Sequence, residues 1–250
     1  MVIRKSISKK FKEKIEYYYN RNKKSIIKSN FDIFHFSVQQ KLWESKHYRN
    51  GIANFYENDF AYYDNQGETI QTATISAGLN LNKLEITRYC NLYIDGYFMS
   101  AMSIFDSLAH EVNTLFKFLS SDPNTKIYFY TIINEFKQKM PNSEFYKYTS
   151  EILAKKRWWK TLGKFRNAIT HEAIIAKEIE TSFDATVGKE TLKKIPLPDN
   201  PKIKPFKYEK GYELQSFIEN LHNNIPSTIE SCYKKLIKDL ENSKKLPIQV

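Results

Sequence analysis

The chain has 250 residues, 41% of them hydrophobic and 15% aromatic, which is enough apolar material for one generous domain or two small ones. Its 39 Lys and Arg against 28 Asp and Glu leave a net charge of +11, which favours an anionic partner, although a Lys-, Asn- and Ile-rich composition also arises from AT-rich genomes. The lack of any apolar run of about 18 residues, of a signal-peptide pattern in MVIRKSISKKFKEKIEYYY, and of metal-ligand or disulfide spacing around Cys90 and Cys232 points to a soluble, cytoplasmic protein with two buried thiols, no membrane contact, no metal and no cofactor.

Glycine is scarce, at 7 residues, and the long segments carry apolar residues at three- and four-residue spacing, so the chain reads as all-α. It has no Gly-x-Gly-x-x-Gly, no phosphate-binding glycine loop and no strand-helix alternation, which removes the common nucleotide-binding α/β architectures from first consideration. Residues 9–28 form a charged helix. Residues 30–64 form one broken helix or two, with Asn30 or Asp32 to cap the start. Residues 65–80 are polar, contain Gly67 and Gly78, and read as a connector.

The longest periodic element runs from about Asn82 to about Leu119, with Tyr97, Phe98, Ala101, Phe105, Leu108, Val112, Leu115 and Leu119 as its apolar stripe. Pro123 in "SSDPN" stops it. A helix over 125–139 ends at "MPNS", and another over 143–175 turns Phe145, Tyr148, Ile152, Trp159, Leu162 and Ile169 inward. Residues 178–205 have β-favouring residues around a Val187-Gly188-Lys189 turn and a proline-rich exit, the pattern of a small β-hairpin or arm. A last helix over 211–242 is bent near Pro226. The most economical assembly is an antiparallel helix bundle: an N-terminal helical extension over 1–80, then a bundle over 81–250 with the arm inserted at 178–205.

The stretch "KTLGKFRNAITHEAII", residues 160–175, holds the densest chemistry. Asn167 and His171 are four apart and lie about 40° from each other around a helix, so they can touch. Arg166 and His171 are about 140° apart; they converge only if the helix ends or distorts there, if the long arginine wraps around it, or if a second copy faces the first across a dimer axis. On one continuous helix, Lys156, Lys160, Lys164, Asn167 and His171 form a single axial row. That row is either a solvated polar face or a track for an anion. Like charges at successive turns destabilise an isolated helix by about 0.2–0.5 kcal/mol per pair, a repulsion that an anion removes.

These residues carry a family resemblance. The motif helix follows a helix reading "GYFMSAMSIFDSLAHEVNTLFKF", and an Arg, a polar Asn and a His five residues beyond the Arg stand at 166, 167 and 171. In this the chain resembles the HEPN superfamily (higher eukaryotes and prokaryotes nucleotide-binding) over roughly residues 82–242. The resemblance implies a four-helix core, a homodimer through the motif helices and, in the active branches, a metal-independent endoribonuclease whose catalytic residues here are Arg166, Asn167 and His171; the axial row of Lys156, Lys160 and Lys164 would then guide the RNA. Ala173 stands where the nucleotidyltransferase-paired subgroup commonly has tyrosine, which argues against a partner enzyme that modifies this chain.

The residue types suit that chemistry independently. Metal-free RNA cleavage by the 2′-hydroxyl needs a group that exchanges a proton near neutral pH, which histidine supplies. It also needs a cation to stabilise the phosphorane, which arginine supplies with two parallel donors.

Asp106 and His110 are an i,i+4 pair, and Asp106 or Glu111 would support the site if they faced it, the bland alternative being a helix-surface ion pair. His35, His47 and His222 have no motif around them and read as structural or surface residues. Three functions remain: a toxin or phage-defence ribonuclease cutting tRNA or mRNA under an antitoxin, a non-catalytic RNA-binding module, and a plain helical dimerisation protein.

Overall fold

The computed structural model describes residues 5–22, 25–57, 59–63, 69–70, 73–75, 79–81, 83–120, 125–171, 180–184, 189–201 and 207–242; side chains are described over 8–17, 30–54, 90–120, 125–170, 195–201 and 207–242. Seven helices account for most of these residues: α1 (Lys5–Asn22), α2 (Ser25–Glu57), α3 (Lys83–Phe116), α4 (Phe129–Lys139), α5 (Glu144–Lys155), α6 (Arg157–His171) and α7 (Leu214–Asn242). The bundle is all-α in its bulk, as the apolar periodicity predicts.

Eight short strands accompany the helices: β1 (Asp59–Tyr63), β2 (Thr69–Ile70), β3 (Ala73–Ile75), β4 (Leu79–Leu81), β5 (Glu180–Asp184), β6 (Lys189–Lys194), β7 (Pro196–Leu197) and β8 (Tyr212–Glu213). The expected hairpin after the motif helix is β5 and β6, paired antiparallel from Glu180 with Lys194 to Asp184 with Lys189; residues 185–188, most of the expected turn, lie outside the described residues. This hairpin does not stand alone. It extends into a four-stranded sheet of order β2-β1-β6-β5, and β3 pairs with β4. The stretch 65–80 is therefore more than a connector, because β2, β3 and most of β4 fall within it. A partner more than 100 residues away, such as Asp59 with Thr191, leaves no local pattern to read.

The chain divides into two compact units, Met1–Trp43 with Ser100–Thr161 and Asn223–Val250, and Glu44–Met99 with Leu162–His222. In the first, α3 contributes Ala101, Ile104, Phe105, Leu108, Val112 and Leu115 to the core, all fully buried. The helix stops where Lys117 adopts φ 49° and donates its N–H to Asn113 O at 2.7 Å. The Asn113 side chain accepts from the N–H of Leu119 at 2.9 Å and donates to its carbonyl at 3.2 Å, satisfying the chain as it leaves the helix.

The helix expected over 143–175 is two helices. A continuous helix with Phe145, Thr149 and Ile152 inward would next turn Lys155 or Lys156 to the core, at a steep desolvation cost. The chain breaks instead at Lys156, in extended geometry (φ −78°, ψ 112°), its N–H bonded to Ile152 O and its carbonyl accepting from Lys160 N–H at 3.5 Å. The break re-phases α6 so that Trp158, Leu162, Phe165 and Ala168 are the buried residues, while Trp159 and Ile169 are only half-buried. Around residue 30 the correction runs the other way. Asn30 and Asp32, expected as caps, lie inside α2, which continues through the anticipated break.

In the second unit, two glycines let α2 and α3 approach closely. A Cβ on Gly51 would overlap the Tyr93 ring, and one on Gly96 would overlap the Tyr48 ring. Beside them Phe98 stacks on Phe165 of α6 at 5.0 Å and on Phe217 of α7 at 6.0 Å. Cys90 and Cys232 are buried thiols, as expected.

Candidate functional site

The apolar seam of α6 sets the direction of its polar face. Leu162, Phe165 and Ala168 are buried, Lys160, Lys164 and Thr170 are exposed, and Arg166 and Asn167 are half-buried between them. The structure brings the first two motif residues together: Arg166 Nη1 donates to Asn167 Oδ1 at 3.2 Å. Guanidinium carries five N–H donors, and among the described residues no carboxylate pairs with it. The Thr170 hydroxyl donates to Arg166 O at 2.8 Å and lies 3.5 Å from Met99 Sδ, tying the last turn of α6 to α3. His171 is the final residue of α6, placed there by its backbone; its side chain lies outside the described residues.

Lys156, Lys160 and Lys164 are all exposed, and none joins an ion pair among the described residues. Because Lys156 sits between α5 and α6, the axial row on one continuous helix starts at Lys160. The absence of pairing has a plain cause. α6 contains Arg157, Lys160, Lys164 and Arg166 and no Asp or Glu. Elsewhere exposed lysines find a carboxylate one turn away: Lys139 with Glu135 at 2.7 Å, Lys155 with Glu151 at 3.7 Å, Lys234 with Glu230 at 2.9 Å. A helix with four cations and no acid is self-repelling unless an anion lies against it.

The two acidic residues considered as support are occupied by other partners. Asp106 Oδ1 accepts the backbone N–H of Phe129 at 3.4 Å. Its neighbour His110 stacks on Phe34 at 4.9 Å, and burial lowers its pKa below the usual imidazole value. Glu111 is completely buried, with Oε1 2.6 Å from His35 Nδ1 and Oε2 accepting from Tyr233 OH at 2.9 Å. Burial raises its pKa, against the opposing hydrogen bonds from His35 and Tyr233. On its other side His35 Nε2 lies 2.8 Å from Ser8 Oγ. Ser8, His35 and Glu111 thus form a chain of hydrogen bonds resembling that of a serine hydrolase. His35 is only 8% exposed and is packed against the rings of Phe31 and Phe11. This cluster is core architecture, and His35 is structural. No sequence pattern joins residues 76 and 122 positions apart.

A family model described as Cthe2314-like HEPN matches residues 30–242. The chain belongs to the HEPN superfamily. No curated protein and no solved structure matches it. The HEPN match takes in all of α6 and reaches upstream of residue 82 into α2, leaving α1 outside. HEPN membership carries the coarse functional class, a ribonuclease or RNA-binding module. Among the described residues no helix is long and apolar enough to cross a membrane.

Proposed function

We propose that this HEPN protein is an endoribonuclease that cleaves tRNA or mRNA without a metal ion, using Arg166, Asn167 and His171. The observation that carries the reading is α6 itself: an Arg-Asn pair at 3.2 Å on a helix with four cations and no carboxylate, ending at a histidine. In the reaction the ribose 2′-oxygen bonds to phosphorus, its proton passes to a base, the P–O5′ bond breaks, and O5′ takes up a proton. His171 serves one of these transfers, and a second copy in a homodimer through the motif helices supplies the other. Arg166 stabilises the charge that builds on the phosphorane oxygens. Asn167 holds the guanidinium in place, and Lys156, Lys160 and Lys164 draw in the RNA backbone. The products are a 2′,3′-cyclic phosphate and a 5′-hydroxyl, and DNA, which has no 2′-hydroxyl, resists. Unchecked cleavage of tRNA or mRNA harms the cell that makes the enzyme, which fits a toxin or phage-defence effector restrained by an antitoxin or a trigger.

The test is incubation of wild type, Arg166→Ala and His171→Ala with total tRNA and labelled single-stranded RNA in EDTA, reading fragments and their ends. Cyclic-phosphate fragments are expected from wild type, reduced about 10²–10³-fold without Arg166 and about 10²–10⁴-fold without His171. RNA retained by all three proteins with no cleavage by any would make the chain an RNA-binding HEPN module instead.

A further inference from the structure

We propose that Tyr128 and Tyr130, at the entry to α4, are a stacking site for an unpaired RNA base. A lone exposed tyrosine calls for no explanation. These two differ because the backbone aligns them. Inside a helix, residues two apart point nearly opposite ways. Tyr128, however, is the residue before α4 begins, in extended geometry (φ −113°, ψ 159°), where alternate residues share a side. The two rings accordingly lie 11° from parallel with their centroids 5.9 Å apart. Phe129 between them turns the other way and is buried against Phe105 at 5.2 Å and Trp159 at 5.5 Å.

The pair is held in place by the protein itself. The Thr131 hydroxyl accepts the Tyr128 N–H at 2.9 Å and donates to the Tyr128 carbonyl at 2.7 Å, while Asp106 accepts the Phe129 N–H at 3.4 Å. Tyr130 is nevertheless 55% exposed, and Tyr128 is its one ring contact among the described residues. An aromatic ring fixed in position and left in water gains from a further flat partner at little cost in order.

Charge selects that partner. Lys126, two residues before Tyr128, is exposed and in no ion pair among the described residues. Trp159 belongs to the first turn of α6, so its contact with Phe129 sets the entry to α4 beside the exposed Lys156 and Lys160. The first turn of α4 has no acid. A base stacked on Tyr130 brings its own flanking phosphates toward these lysines, a gain that an apolar protein segment does not share. Arg166, Asn167 and His171 stand in the last two turns of α6, so the stack is a contact apart from the motif. It rests on reading the chain as RNA-binding but does not require that the RNA be cut.

The experiment measures binding of two labelled single strands to full-length wild type, Tyr130→Ala and Tyr130→Phe. One strand is RNA with every 2′-hydroxyl methylated, which no transesterification can cleave. The other is a phosphodiester strand of equal length whose sugars carry neither bases nor 2′-hydroxyls. Thermal unfolding and sedimentation are recorded for the same proteins, and Tm should stay within about 2 °C because the side chain is at the surface. Tyr130→Ala should weaken binding of the base-bearing strand by about 5- to 100-fold, leave the baseless strand unchanged, and be matched by no loss in Tyr130→Phe, which keeps the ring. Wild-type binding that Tyr130→Ala leaves intact, or lowers equally for both strands, overturns the stack and spares the nuclease reading. A change of oligomeric state in Tyr130→Ala, with affinity for both strands unchanged, overturns it in favour of a protein contact. No binding of either strand by wild type sinks the stack and the RNA reading together.

Discussion

Glu111 shows how one buried carboxyl writes itself into the pH dependence of stability. Desolvation raises its pKa above the ordinary 4.5, so the folded protein holds that proton more tightly than the unfolded chain. The associated stabilisation is complete below the unfolded value and is lost as pH rises through the higher folded one. Glu144 carries the opposite trend, its pKa lowered by Lys235, so total stability would blur the two. A comparison with Glu111→Gln isolates the first. The uncharged amide should match wild type near pH 4 and gain on it steadily toward pH 7, read from urea midpoints across that range. A variant that instead loses ground as pH rises would show that Glu111 is held as an anion by His35. Of this cluster the sequence displayed nothing, because its members come from α1, α2, α3 and α7. Arg166 and Asn167 were legible because neighbours on one helix are brought together by the chain itself.

At the scale of elements, the start of α5 depends on another helix. Ser143 accepts the N–H of Tyr146 at 3.1 Å, the usual cap, but the remaining first-turn donors go to Asp239 of α7. Asp239 Oδ1 accepts from Glu144 N–H at 2.8 Å, and Oδ2 accepts from Phe145 N–H at 3.0 Å and from the Ser143 hydroxyl at 2.7 Å. A buried anion at a helix N-terminus also meets the positive end of the helix dipole. Asp239→Asn keeps one acceptor oxygen, turns the other into a donor and removes the charge. It should cost about 1–3 kcal/mol in urea denaturation at neutral pH. A loss under about 0.5 kcal/mol would mean that the first turn of α5 is satisfied without α7. Asp239 was not legible as a cap, since it reads as one more polar residue of the last helix. The break at Lys156 escaped for a related reason: no proline or glycine marks it, only lysines in core phase.

For the whole molecule, the family match starts at residue 30 while the core does not. α1 carries a thin apolar seam, Phe11 and Ile15, among lysines and glutamates, which alone reads as a charged surface helix. Both side chains are buried, at 0% and 1% exposure. Phe11 stacks on Tyr233 at 4.6 Å and meets Phe31 edge-on at 5.8 Å, so it closes the aromatic shell around the hydrogen-bonded Glu111. The charge on α1 is partly tied down as well, through Lys12 with Asp32 at 3.1 Å and Lys14 with Glu241 at 3.0 Å, though exposed pairs of this kind add little. Burial is what holds α1. Phe11→Ala should therefore cost about 3–5 kcal/mol, the range for emptying a buried phenylalanine site, measured by urea unfolding of the full-length protein. Against a total of about 5–15 kcal/mol for a typical domain, that loss would leave the protein close to its unfolding threshold at 37 °C. It should also let water reach Glu111, lessening the desolvation that raises its carboxyl, so the pH dependence argued for Glu111 should flatten in the same variant. A cost under about 1 kcal/mol with that dependence intact would show α1 to be an appendage, and the family-matched span a core complete without it.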